Sequence, residues 1–143
     1  MSLHNRIGLG FIVCFLSALP LTSLAANGRD FAGFYEIRNV VDMGDQASVT
    51  LIVQPMDYSG ADVFGATITV RDAFLINAYA TFIVDLPNRE TTVLQSDITF
   101  PKSEYERWRQ GVPPVVLIRY TDAAGKTHRG PIELVPMIID GGF

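Results

Sequence analysis

The chain has 143 residues, which is enough for one ordinary domain and too few for two. Its residues are 48% hydrophobic and 18% charged, a composition that excludes a disordered or low-complexity protein. The formal net charge of −4 argues against a nucleic-acid-binding protein, because such a protein would carry a basic stripe for the phosphates.

The N-terminal segment has the layout of a cleaved secretory signal. Arg6 gives it a positive start, residues 7–19 form an apolar run, and 23–25 places small residues just before Ala26. This run is shorter than the roughly 20 apolar residues of a transmembrane helix. We therefore expect residues 1–26 to be removed, leaving 27–143 as a periplasmic or secreted domain with no membrane span.

The position of the single cysteine excludes several kinds of chemistry for that domain. The single cysteine, Cys14, lies inside the apolar run and follows Val13, whereas a lipid-anchored precursor would place it at the end of the run after a small residue. Residues 27–143 contain no cysteine, which excludes disulfides, thiol catalysis and thiolate metal sites there. The lack of disulfides is typical of a bacterial rather than a eukaryotic secreted domain.

The first half of the domain alternates apolar and polar residues with period two. This pattern predicts strands over 34–41, 48–55 and 66–71, with turns at 42–45 and 57–62. The alternate residues that should face the core in the second and third strands are Val49, Leu51, Val53, Ala66, Ile68 and Val70.

The stretch 73–86 fits two interpretations. Asn77, Thr81 and Asp85 are four residues apart, which suits a helix. As a strand, the stretch gains an apolar face made of Ile76, Ala78, Ala80, Phe82, Val84 and Leu86. We favour a strand over 79–86, because residues 87–90 then make a hairpin turn into a partner strand over 91–100.

The remaining elements are a helix and two strands. Ser103 and Glu106 have the spacing of a capping box and Gly111 supplies a stop, which together predict a short helix. Strands follow over 115–121 and 127–135, joined by a hairpin loop. The predicted fold is all-β, a seven-strand antiparallel sandwich with one short helix between strands five and six.

This organisation resembles the extracytoplasmic bacterial immunoglobulin-like modules of the fibronectin or adhesion-domain kind. The segments that carry the resemblance are 49–53 running into 58–63, then 66–70, and in the second half 84–87, 92–94 and 98–101. The chain lacks the paired cysteines and intervening tryptophan of antibody-type domains. The resemblance implies a module that binds proteins or glycans, or acts as a spacer.

Catalytic residue patterns are weak in this sequence. His128 is the one histidine of the domain, with Asp122 close to it in sequence but no Gly-x-Ser-x-Gly turn. We interpret His128 as an exposed edge-strand residue between Lys126 and Arg129 rather than a base, and predict that the protein is not an enzyme.

In such a sandwich the loops 57–65, 87–90 and 122–126 should lie at one end. They bring together a set of oxygen-bearing side chains that could bind calcium, although ordinary turn chemistry is the favoured explanation: Asp57, Asp62, Asn88, Glu90 and Asp122. The candidate binding residues here are Tyr58, Asp62, Asn88 and Asp122. We expect Tyr58 to be exposed and Phe64 to plug the end of the core.

The opposite end offers a second candidate pair. Tyr105 and Trp108 share one helix face and could form a stacking platform for a sugar, although closing the core is the favoured interpretation. The solvated side of the helix would then be formed by Glu104, Glu106, Arg107 and Arg109. The tail 136–143 could extend the last strand, be frayed, or donate a strand to another subunit.

Three functions remain open. The leading hypothesis is a non-enzymatic protein-interaction module with a partner in the cell envelope or outside the cell. The first alternative is an assembly subunit that joins its neighbours by edge strands or termini. The second alternative is a carbohydrate-binding module that uses Tyr105 and Trp108.

Overall fold

The computed structural model describes residues 30–140, which form eight β-strands and one α-helix. The elements in chain order are β1 (Phe31–Met43), β2 (Gln46–Asp57), β3 (Val63–Arg71), β4 (Ala78–Leu86), β5 (Leu94–Pro101), α1 (Lys102–Arg109), β6 (Val115–Thr121), β7 (Thr127–Pro131) and β8 (Glu133–Ile139). The predicted signal segment, Cys14 and the last three residues of the chain lie outside the described residues.

The strands form two four-stranded sheets. The first has the order β5-β2-β1-β8 and the second the order β4-β3-β6-β7. Neighbouring strands are antiparallel except for β1 and β8, which are parallel. The predicted all-β sandwich is confirmed, whereas the predicted number of seven strands is wrong. No helix within 30–140 is long and apolar enough to cross a membrane.

The eighth strand arises because the predicted last strand, 127–135, is divided at Ile132 into β7 and β8. Ile132 is buried, with 4% of its surface exposed, and its backbone N–H donates to the carbonyl of Val116 at 2.9 Å. Because this anchor lies in the core, the chain leaves the second sheet after β7 and joins the first as β8. Residues 136–139 of the predicted tail belong to β8, and the N–H of Asp140 donates to the carbonyl of Ile37 at 2.9 Å.

The predicted alternation places the core correctly. Ala66, Ile68 and Val70 of β3 are fully buried, and the inward residues of β2 lie against them. The strand interpretation of 79–86 is also confirmed, but the predicted hairpin with the next strand is wrong, because β4 pairs with β3 in one sheet and β5 pairs with β2 in the other. The apolar face of β4 is only partly covered, because β4 is an edge strand, and Leu86 is its one fully buried member.

Helix α1 closes one end of the sandwich. The predicted capping box is absent, since the helix begins after Pro101 without a side-chain cap and Glu106 instead pairs with Arg109. Gly111 ends the helix as predicted, with a φ of 95° that suits glycine. Glu104 was expected on the solvated side but is buried, and Arg107 pairs with it at 3.0 Å.

Candidate functional site

The loops at the far end from α1 are fastened to one another, and we call this region the loop end. It comprises the loops 58–62, 87–93 and 122–126. The N–H of Asn88 donates to Asp62 Oδ1 at 2.8 Å, and the N–H of Tyr58 donates to the carbonyl of Asp30 at 2.7 Å. The expected gathering of these loops is therefore present.

A cleft of about 440 Å³ opens between the first and third of these loops. The residues that line it are Asp30, Ser59, Ala61, Asp62, Val63, Phe64, Tyr120, Thr121, Asp122, Ala123 and His128. Three of them are aspartates and none is lysine or arginine, so the cleft favours a cationic group.

One wall of the cleft is an aspartate–histidine pair. His128 Nε2 lies 2.7 Å from Asp122 Oδ2, and the imidazole stacks on the ring of Tyr120 with centroids 4.8 Å apart. The other carboxylate oxygen of Asp122 accepts the backbone N–H groups of Ala124 and Lys126, each at 2.9 Å. Asp122 therefore ties the β6–β7 hairpin loop to the strand that follows it.

The pKa shifts of the cleft residues come from hydrogen bonds in one case and mainly from burial in the two others. The hydrogen bond from His128, followed by that from the Lys126 N–H, holds the pKa of Asp122 below its usual value. Burial, and then repulsion from Asp57, raises the pKa of Asp30, although His128 opposes this. Burial raises the pKa of Tyr120, and the carboxylates of Asp30, Asp57 and Asp122 add to the effect.

The two aromatic residues of the predicted loop 57–65, Tyr58 and Phe64, are both exposed. Tyr58 is 51% exposed, in agreement with expectation. Phe64 is 70% exposed, so the prediction that it plugs the core is wrong. The pairing register with β4 shifts between Val63 and Ala66, and this irregularity turns Phe64 outward while Val63 takes the buried position.

Several of the oxygen atoms proposed as calcium ligands accept hydrogen bonds from backbone N–H groups of the loops. Asp62 accepts the N–H of Asn88, and Asp57 Oδ1 accepts that of Ser59 at 2.8 Å. Within 30–140, no group of three or more histidine, aspartate or glutamate side chains is arranged to hold a metal ion. Asp57 Oδ2 and Asn88 Oδ1 are buried without a hydrogen-bond partner. Glu90 does not line the cleft.

The second candidate pair lies at the opposite end and belongs to the core. Tyr105 is 0% and Trp108 is 1% exposed, so their rings offer no platform to a sugar. Trp108 stacks on Phe100 with centroids 4.5 Å apart, and its carbonyl accepts the hydroxyl of Tyr35 at 2.8 Å. The hydroxyl of Tyr105 donates to the carbonyl of Asp140.

Two cleft residues were missed by the sequence reasoning. Asp30 was overlooked because the first strand was expected to begin at residue 34, whereas it begins at Phe31. Tyr120 was assigned to a central strand that is apolar on both faces. The one sequence feature that could have identified Tyr120 is the period of the strand, because Tyr120 and its cross-strand partner His128 lie on the same face of the sheet.

The comparisons with known proteins identify no relative. No protein-family model, no curated protein and no solved structure matches the chain.

Replacing Asp30 by asparagine should raise the melting temperature at neutral pH. Its pKa lies above the usual 3.8 because the carboxylate is partly buried and is repelled by Asp57, which makes it costlier to ionise. The unfavourable contribution exists above the folded-state pKa and disappears as the pH falls, so the two proteins should melt alike in acid. Thermal melts over a pH series test this, and a lower melting temperature for the variant at neutral pH would contradict it.

Proposed function

We propose that the protein is a non-enzymatic interaction module of the periplasm or the cell exterior, which binds a protein partner through the cleft at its loop end. The secretory pattern of residues 1–26 supports the location. The order of the strands and the residues that line the cleft support binding through the loop end.

The proposed framework is an immunoglobulin-like sandwich. If β1 to β7 are lettered A, B, C, C′, E, F and G, the first sheet contains A, B and E and the second has the order C′-C-F-G. Strand β8 follows G in the chain and pairs with A in the first sheet. Immunoglobulin-like domains distribute their strands in this manner and use loops at the sandwich ends for binding. This correspondence supports the proposed relationship and the use of the loop end.

The observation that carries the proposal is an exposed aromatic ring beside an acidic cleft. Phe64 exposes 70% of its surface and lines the same cleft as Asp30, Asp62 and Asp122. Aromatic anchors next to charge-assisted hydrogen bonds are the usual centre of a protein interface. A partner that inserts an arginine or lysine into the cleft, with its alkyl stem against Phe64, fits both features.

The aspartate–histidine pair has a structural role in this proposal. His128 hydrogen-bonds to Asp122 and lies flat against Tyr120, which fixes the hairpin loop that forms one wall of the cleft. A rigid wall favours binding, because less conformational entropy is lost when the partner docks.

The experiment compares two exposed phenylalanines at opposite ends of the sandwich. The purified protein and its Phe64→Ser and Phe74→Ser variants are used to capture partners from the envelope fraction of the source organism. Phe74 is 83% exposed in the β3–β4 loop and serves as the control. We expect Phe64→Ser to weaken capture about tenfold or more and Phe74→Ser to leave it unchanged. Equal capture by all three proteins would contradict the proposal.

A second candidate, an assembly subunit, is favoured by the edge of β4. The strand Ala78–Leu86 contains no lysine, arginine or proline, and within 30–140 it pairs with β3 alone. Proline, lysine and arginine in an edge strand hinder pairing with a strand of another molecule. Each of the other three edge strands contains a proline: Pro101 in β5, Pro131 in β7 and Pro136 in β8. If β4 mediates assembly, the capture experiment should recover this chain itself rather than a different protein.

A further inference from the structure

Three arginines share the outer face of the second sheet, which has no lining residue in common with the cleft. Arg71 lies on β3, Arg119 on β6 and Arg129 on β7, and we call the surface that they form the arginine face. A shallow groove of about 530 Å³ runs between them. The other residues that line the groove are Thr67, Thr69, Leu117, Ile118, Gly130 and Pro131.

These arginines have no acidic partner within 30–140. The salt bridges found there use other cationic residues, namely Arg38, Lys102, Arg107, Arg109 and His128. Arg71 reaches a backbone carbonyl, that of Leu75, at 3.5 Å.

The arrangement is unfavourable for the isolated protein. Arg119 and Arg129 are direct cross-strand partners on antiparallel β6 and β7. Like charges at such positions repel each other and destabilise the sheet. A local arrangement that costs stability without a compensating contact is typical of a binding site.

We propose that the arginine face binds an anionic polysaccharide. Guanidinium groups recognise carboxylates and sulfates through paired hydrogen bonds. Thr67 and Thr69 lie between the arginines and supply hydroxyls for hydrogen bonds with sugar hydroxyls. Leu117 and Pro131, which are cross-strand partners, add an apolar strip that matches the face of a sugar ring.

An acidic peptide or a nucleic acid fits this face less well. β3 and β6 are each paired on both sides, and β7, whose free edge borders the groove, has only five residues and ends at Pro131, so the main chain of a peptide finds little edge to pair with there. The groove contains no aromatic side chain on which a base could stack, and the chain as a whole carries a net charge of −4. A polymer that combines anionic groups, hydroxyls and apolar ring faces suits the groove best.

The test measures the binding of two polyanions and two controls. The purified full chain is titrated with polygalacturonate, which carries carboxylates, and with dextran sulfate, which carries sulfates. Neutral dextran and poly-glutamate are the control polymers. The Arg119→Gln/Arg129→Gln double variant is compared with Arg89→Gln/Lys126→Gln, which removes the same charge from two cations at the loop end that form no ion pair within 30–140.

We expect at least one polyanionic polysaccharide to bind, with an affinity that falls as salt is added. The arginine-face double variant should lose about tenfold or more of that affinity, and the control variant should keep it. The double variant should also melt no lower than the wild type, because it relieves the cross-strand repulsion.

Three results would overturn the proposal. The first is the absence of binding to both polysaccharides, and the second is an equal loss of affinity in the two double variants. The third is equal or stronger binding of poly-glutamate, which would assign the face to an acidic protein partner instead.

Discussion

Replacement of Trp108 by alanine should lower the free energy of unfolding by about 3–5 kcal/mol. The indole is 1% exposed, stacks on Phe100 and meets Tyr79 edge-on with centroids 6.1 Å apart. Its removal would leave a cavity where α1 closes the sandwich, and the two sheets are too constrained by their hydrogen bonds to collapse into it.

Chemical denaturation monitored by circular dichroism measures this change. Trp108→Phe should lose less stability, since it keeps an aromatic ring against Phe100. Phe74→Ala is the matched surface control and should stay within about 0.5 kcal/mol of the wild type. A Trp108→Ala variant as stable as the wild type would show that Trp108 does not hold α1 against the core.

Replacement of Gly33 by alanine should cost about 3 kcal/mol for a different reason. A Cβ atom built at this position would lie 2.0 Å from the carbonyl oxygen of Gln54 and 3.0 Å from the Cα of Pro55. Both contacts are to the backbone of β2. Strand β1 cannot move away because β8 is paired on its other side.

Gly44→Ala is the control for this substitution. Gly44 has a φ of 85°, but an added Cβ there would meet nothing within 4 Å. Its cost should be limited to backbone strain, about 1–2 kcal/mol. Thermal or denaturant melts compare the two variants, and a Gly33→Ala variant more stable than Gly44→Ala would contradict the close approach of β1 and β2.

Much of the fold follows from local pattern. Residues 66–71 alternate without exception, and a strand that alternates in this way buries one face whatever its neighbours are. The strand over 79–86 was predicted correctly, although the hairpin used to choose it is wrong, because 87–93 connects strands of different sheets. In the helix, Tyr105 and Trp108 share a face, and the burial of that face was the favoured expectation.

The errors arise where tertiary contacts override local signals. Ser103 and Glu106 have capping-box spacing, yet the helix already begins at Lys102, whose N–H donates to the carbonyl of Asp45 in the β1–β2 turn at 2.9 Å, so Ser103 is not at the N-cap. The break between β7 and β8 depends on Ile132, whose anchoring in the core has no local sequence signature. Phe64 lies at an irregularity in strand pairing, which depends on the partner strand as much as on its own.

The candidate site was only partly predictable for the same reason. Loop residues such as Asp62 and Asp122 were found because loops at one end of a sandwich converge. Asp30 and Tyr120 enter the cleft from strands, so their participation depends on register and sheet packing. The arginine face likewise became visible only when cross-strand pairing placed Arg119 opposite Arg129.

The cleft and the arginine face give the molecule two surfaces of opposite chemistry. The cleft at the loop end is acidic and has an aromatic residue in its wall, whereas the outer face of the second sheet is basic. They use different residues, so the two proposals can fail independently. A protein that held an anionic polymer on its sheet could still present its loop end to a second protein.

The most direct test of the interaction module is site-specific photo-crosslinking in the source organism. A photoreactive phenylalanine analogue is placed at position 64 in one protein and at position 74 in another, because both native side chains are exposed at opposite ends. We predict that position 64 crosslinks to one protein partner and that position 74 does not. Crosslinks from position 74 alone, or the same products from both positions, would contradict binding through the loop end.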